Sequence, residues 1–226
     1  MMGKLIVIEG VDGSGKETQS NLLFERLKKS NDNVTKITFP DYNSPSSSLV
    51  KMYLAGEFGQ DADGVDPYPP SVFYAADRYA SYKTKWEKEY LSGGIIIADR
   101  YMTSNLIHQS CKINDFSERE RYFNWLIEFE YRIMKIPEPD IVFFLDMPPA
   151  YSAQLRVGRS NKITGGRTLD IHEKDPAYLQ KSYDNANLVA DKFKWIRISC
   201  VSGGKIRPIE EIHNEIYRIT KPKLYQ

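Results

Sequence analysis

Only two cysteines occur in the 226 residues, Cys111 and Cys200, far apart and without metal-ligand spacing. A disulfide framework is therefore excluded, and each reads as a thiol of a reducing compartment. His172 and His213 have no partners at ligand spacing, which argues against a zinc site. No apolar run approaches the roughly 20 residues that span a bilayer, and the first apolar run follows the N-terminus with no signal-like segment. A cytoplasmic location is expected, with no membrane partner. Charge of one sign is not in excess, since 31 basic residues face 30 acidic ones. That balance lacks the basic footprint of a duplex binder, so nucleic acid is not an expected partner. No internal repeat and no long Ser/Pro-rich or single-sign linker divides the chain, and one domain over residues 1–226 is expected. The brief run Ser44-Pro45-Ser46-Ser47-Ser48 reads as a loop followed by a helix N-cap.

What is present alternates. Short β-rich runs at 5–9, 34–39, 95–98, 141–145 and 195–199 are separated by segments with helical spacing. This order predicts an α/β fold, a parallel sheet with helices on both faces. Ile95-Ile96-Ile97 and Ile141-Val142-Phe143-Phe144-Leu145 are apolar throughout, as central strands covered on both sides are. Ligands of such sheets collect at the carboxyl ends of the strands. Three polar clusters follow strands: the loop at 10–16, Asp99-Arg100-Tyr101, and Asp146.

The first cluster reads Gly10-Val11-Asp12-Gly13-Ser14-Gly15-Lys16 between an apolar strand and an amphipathic helix. Glycines let backbone N–H groups turn around an anion, the helix adds its positive end, and Lys16 reaches the β- and γ-phosphates. A nucleoside triphosphate is the expected ligand. Glu17 stands where the motif expects the Ser or Thr whose hydroxyl meets magnesium, and Thr18 follows one place later.

Arg100 follows the third strand, at the same edge of the sheet as the loop. Its fork suits a second phosphate held bidentately; the alternative is an Asp99/Arg100 pair that caps the next helix. Tyr74 and Arg78 are four apart and project from one helix face, as a ligand-facing plane and fork or as a core aromatic beside a snorkelling charge. Asn105 and Gln109 repeat that spacing, and either amide could accept from a base N3–H. Trp125, Leu126, Phe129 and Ile133 recur at helical spacing and mark a core or subunit-contact stripe.

Taken in order, Ile8-Glu9-Gly10-Val11-Asp12-Gly13, Phe39-Pro40, Tyr74-Ala75-Ala76-Asp77-Arg78, Asp99-Arg100-Tyr101 through Gln109, and Pro139-Asp140 through Leu145-Asp146 resemble the thymidylate kinases. The resemblance covers most of the chain. It implies a P-loop NTPase three-layer sandwich with a five-stranded parallel sheet and a small lid. It also implies transfer of the γ-phosphoryl of ATP, with Mg2+, to dTMP, giving ADP and dTDP for dTTP and DNA synthesis. On that resemblance Arg100 holds the acceptor phosphate, Tyr74 stacks on thymine and Arg78 donates to its O4. Cytosine carries an amino donor at that place, so Arg78 would go unpaired against it. Phe39, Tyr42, Ser104, Asn105, His108 and Gln109 line the acceptor, with Tyr42 where some members place an arginine and His108 where many place a tyrosine. Asp12 accepts from the sugar 3′-hydroxyl or reaches magnesium. The attacking phosphate is already largely ionised at neutral pH, its second pKa being about 6, so no strong base is needed. Asp99 is then assigned to positioning Arg100 or a magnesium-bound water. Asp12, Glu17 and Asp99 are the candidates for holding the metal.

The stretch at about 156–177 is polar, basic and glycine-bearing and reads as the lid. Some thymidylate kinases carry an arginine in the phosphate loop and others in the lid. Gly13 occupies the loop position here, so Arg156, Arg159, Lys162 and Arg167 are the candidate charges for the transferring phosphoryl. The resemblance also implies a homodimer. Two competing readings are another nucleotide kinase, acting on dUMP, UMP or a deoxynucleoside, and a non-catalytic nucleotide-dependent switch suggested by Glu17. Against the switch, the chain carries a second anion-suited cluster and lacks the Asn-Lys-x-Asp signature of GTPases.

Overall fold

In a computed structural model, residues 2–30, 33–61, 63–156 and 175–224 are described. Strands β1 (Lys4–Glu9), β2 (Val34–Thr38), β3 (Ile95–Asp99), β4 (Ile141–Asp146) and β5 (Ile196–Ser199) form one parallel sheet in the order β2-β3-β1-β4-β5. Each begins or ends within about a residue of its predicted run, because a strand covered on both faces must be apolar along its whole length. The sheet's period of two sorts that run into two cores. Leu5, Val7, Ile96, Ala98 and Phe144 face one side; Ile6, Ile8, Ile97, Phe143 and Leu145 face the other.

Helix α1 (Lys16–Lys28) supplies Leu23 and Leu27 to the second core, together with Ile212 and Ile216 of α9 (Ile209–Lys223). The first core is covered by α5 (Thr103–His108), α6 (Phe116–Ile127) and α8 (Pro176–Lys192). Asp115 caps α6 by accepting from the Glu118 N–H at 2.8 Å, and Asp175 caps α8 by accepting from Tyr178 at 3.0 Å. The remaining helices are α2 (Ser48–Leu54), α3 (Tyr68–Ser81), α4 (Glu87–Leu91) and α7 (Pro149–Arg156). A small separate cluster, Val50, Tyr53, Leu54 and Val65, packs against Tyr42, Phe73 and Tyr74.

Three features were not foreseen. A hairpin of β6 (Val201–Ser202) and β7 (Lys205–Ile206) turns at Gly203-Gly204, both with positive φ. π-helical turns at Tyr82–Trp86 and Glu128–Ile133 prolong α3 and α6. The apolar stripe of α6 is also centred differently: Tyr122, Phe123, Leu126 and Glu130 are buried, whereas Trp125 and Phe129 stack on its outer edge and Ile133 is 65% exposed. Most of the predicted lid, including Arg159, Lys162 and Arg167, lies outside the described residues, and Arg156 closes α7.

Candidate active site

The loop leaving β1 is shaped by positions that a side chain would spoil. A Cβ on Gly10 would stand 2.6 Å from Ser14 Oγ and 3.0 Å from the Leu145 carbonyl, and Gly13 holds a φ of 81°. Lys16, the first residue of α1, is buried and donates to the Val11 carbonyl at 2.8 Å, across the mouth of the loop. Burial and the nearby Arg100 lower its pKa from 10.5 to about 8, against the opposing pull of Asp12, Asp99 and Glu9. Ser14 Oγ is buried with no hydrogen-bond partner among the described residues. Glu17 is exposed on the first turn of α1, and Thr18 beside it is half-buried.

Strands β1 and β3 are direct neighbours with Ile8 opposite Asp99, so the turn after β3 emerges beside the phosphate loop. Arg100 takes a left-handed φ of 68°, a conformation costing a residue with a side chain about 1 kcal/mol or more. Its guanidinium contacts the Asp12 carboxylate and donates to Ser104 Oγ at 3.3 Å and His108 Nε2 at 3.1 Å. Glu9 lies 3.7 Å from it. Burial opposes the charge of Arg100, but Asp12, Glu9 and Asp99 outweigh that penalty and raise its pKa. The carboxylates that hold Arg100 are thus Asp12 and Glu9, not the expected Asp99, which is buried at the end of β3 and acts from farther away.

Glu9 is fully buried and accepts from the Gly10 N–H at 2.9 Å, Thr103 Oγ1 at 2.7 Å and Ser104 Oγ at 2.8 Å. One side chain thereby ties the phosphate loop to α5. The signal for it in the sequence is a lone acid that closes the apolar run Leu5-Ile6-Val7-Ile8.

The predicted acceptor residues are brought together unevenly. Tyr42 and Tyr74 are half-buried over the small cluster, Tyr74 meeting the Tyr53 ring edge-on at 6.4 Å. Phe39, before a cis Pro40, is buried in the core against Tyr101. Asn105 donates to the Ser71 carbonyl at 3.3 Å, and the Gln109 amide oxygen is buried without a partner among the described residues. Arg78 departs most from expectation. It is 1% exposed and turned inward, with Nε and Nη2 bound to Glu130 at 2.7 and 2.5 Å. A surface charge is ruled out, as is a fork with every donor open to a ligand. Its neighbour Asp77, also unforeseen, accepts from the Asp41 N–H and the Ser46 hydroxyl.

A family model described as thymidylate kinase matches residues 8–216, which include the loop, Arg100 and α3. The chain belongs to the thymidylate kinase family. A thymidylate kinase from Plasmodium falciparum is 30% identical over 98% of this chain and 92% of its own length. Two solved structures share the fold. A thymidylate kinase from Candida albicans has a TM-score of 0.70 at 20% identity, covering 99% of this chain and 94% of that one. One from Ehrlichia chaffeensis has a TM-score of 0.66 at 21% identity, with 97% and 100% covered. Membership in the thymidylate kinase family thus rests on sequence, and the two structures agree with the sheet and its flanking helices. Among the described residues no helix is long and apolar enough to cross a membrane.

Proposed function

We propose that this chain transfers the γ-phosphoryl group of ATP to dTMP, giving ADP and dTDP on the route to dTTP for DNA synthesis. The observation that carries it is the pairing of two cations at adjacent strand ends, the buried Lys16 in the phosphate loop after β1 and the half-buried Arg100 after β3. One anion site binds a nucleotide; two side by side suit a transfer between phosphates. Bringing two anions together costs several kcal/mol in a partly dehydrated site, and cations already fixed there offset that cost.

In this reading Lys16, Ser14 and the amides of residues 10–18 hold the donor. Arg100 releases Asp12 to grip the acceptor phosphate, and Asp12 then accepts from the sugar 3′-hydroxyl or faces the metal. Tyr74 stacks on the base, and Gln109 supplies an acceptor already buried and waiting for an N–H. Ser104 and His108 lie beside Arg100, lining the sugar and phosphate. Arg156, Arg159 and Arg167 are the lid charges that compensate for Gly13.

Asp12, Asp99 and Glu9 all act on Lys16, so carboxylates surround the phosphate loop. Mg2+ usually takes one or two carboxylates and completes its shell with water and phosphate oxygens, and this donor set fits that habit. Among the described residues no three His, Cys, Asp or Glu side chains are gathered as ligands. Asp12 and Asp99, with Glu17 at the rim, would hold the ion, which would neutralise charge between the β- and γ-phosphates.

Steady-state ADP release with ATP-Mg and a panel of dTMP, dUMP, UMP and dCMP tests the assignment. Turnover is expected to be highest with dTMP. Turnover of UMP or dCMP with none above buffer for dTMP would overturn it, and ATP binding without any turnover would favour a switch.

The expected homodimer has a suitable surface. Tyr68 and Val72 of α3 are exposed beside Trp125, the Tyr68 and Trp125 rings lie 4.6 Å apart, and Trp125 stacks on Phe129. A second copy covering this aromatic face would remove it from water. Val72→Glu is expected to convert a dimer into monomers in sedimentation velocity; wild-type protein sedimenting as a monomer at micromolar concentration would remove the idea.

A further inference from the structure

Glu130 is fully buried, in the π turn that prolongs α6, and both its oxygens are taken by Arg78. The pairing is fork to fork, which fixes the plane of the guanidinium as well as its position. Helix α3 is itself pinned one residue earlier, where Asp77 accepts from Asp41 and Ser46. Arg78 therefore has neither a mobile backbone nor a free rotamer. With Nε and one N–H of Nη2 committed, Nη1 is the nitrogen with no part in the pair, and among the described residues its one contact is long, 3.5 Å to the Tyr101 carbonyl. Tyr101 directly follows Arg100. The under-used donor thus borders the chain that carries the acceptor-phosphate cation.

We propose that Glu130 is a positioning residue for base selection: by holding the Nε and Nη2 edge of Arg78, it leaves the Nη1 end of the fork as the one offered to the pyrimidine 4-position. This rests on the reading that Arg78 meets the acceptor base. A carbonyl there satisfies the donor; an amino group leaves it unpaired in a buried site, a mismatch that hydrogen-bonding sites reject strongly. The carboxylate is needed because an ion pair with one partner removed leaves an uncompensated buried charge.

The test is the ratio of kcat/KM for dTMP over dCMP, with KM for ATP and the melting temperature measured on the same proteins. Glu130→Gln keeps the shape but replaces one acceptor by a donor. It is expected to lower the ratio by about tenfold or more and to raise KM for dTMP with little change for ATP. Glu130→Asp retracts the fork by one methylene and is expected to lower the ratio too, which provides a reading should the glutamine protein not fold. Arg78→Gln is the control. If it lowers the ratio while folded Glu130 variants leave it unchanged, the positioning role falls and the base-reading role stands. If Arg78→Gln itself weakens dTMP and ATP equally and leaves the ratio unchanged, the reading of Arg78 fails first. A Glu130→Gln/Arg78→Gln protein whose ratio equals that of either single variant supports one shared path. Additive losses would overturn it.

Discussion

An Arg100→Met protein is expected to lose about 10²–10³-fold in kcat/KM for dTMP, the scale of removing one partner from a desolvated charged contact. The loss has two parts. The acceptor phosphate loses a fork whose geometry a point charge cannot copy, so Arg100→Lys should recover little. In addition, Asp12 and Glu9, now held by Arg100, would face the incoming phosphate as unbalanced negative charges. ATP affinity, measured by calorimetry without the acceptor, should change by less than the loss for dTMP. A kcat/KM for dTMP within tenfold of the parent protein would refute the assignment of Arg100 to the acceptor.

Lys16→Met has the other large effect, and it points in two directions. Activity should fall by about 10³-fold or more, as losses of cations at a transferring phosphoryl do elsewhere. The ligand-free protein, by contrast, should become more stable. Folding lowers the Lys16 pKa from 10.5 to about 8, a penalty of about 3 kcal/mol while the amine is charged. Losing the bond to the Val11 carbonyl returns about 1 kcal/mol of that. A gain of about 2 kcal/mol remains, or roughly 4–8 °C in melting temperature at pH 7 for a chain of this size. The folded protein binds this proton less readily than the unfolded chain. Its penalty is therefore complete below about pH 8 and is relieved as pH rises from there toward 10.5. The melting temperatures of the two proteins should converge over that window, and kcat/KM for ATP of the parent protein should decline through it. A methionine variant that melts lower at pH 7 and diverges further at pH 9 would contradict the buried-charge account.

How far the chain could be read depends on where its physics is local. The five strands were legible because full burial demands unbroken apolarity, and the phosphate loop because a tight turn around an anion needs glycine at fixed places. The hairpin at 201–206 left too short a run for periodicity, though Gly203-Gly204 was a turn signal that could have been used. Tyr74 and Arg78 were correctly placed on one helix, yet the direction of Arg78 depends on a carboxylate 52 positions later. Glu130 follows the buried Leu126 by four residues, so an acid on a buried stripe was visible. The stripe read from Trp125, Leu126, Phe129 and Ile133 did not include it. Glu9 and Asp77 were missed for a related reason: each acts by accepting from backbone or hydroxyl groups of another segment, and such partners leave no periodic trace.

Strand β1 is bordered on both sides, by β3 and by β4, so the phosphate loop hangs from the centre of the sheet. Opening it requires breaking two ladders at once, and the donor end of the site shares the cooperative stability of the whole molecule. Tyr42 and Tyr74 rest instead on Val50, Tyr53, Leu54 and Val65, four side chains outside both main cores. The tyrosines of the acceptor end thus lean on a small cluster of their own, while the helix that carries Tyr74 is tied to α6 by the Arg78–Glu130 pair.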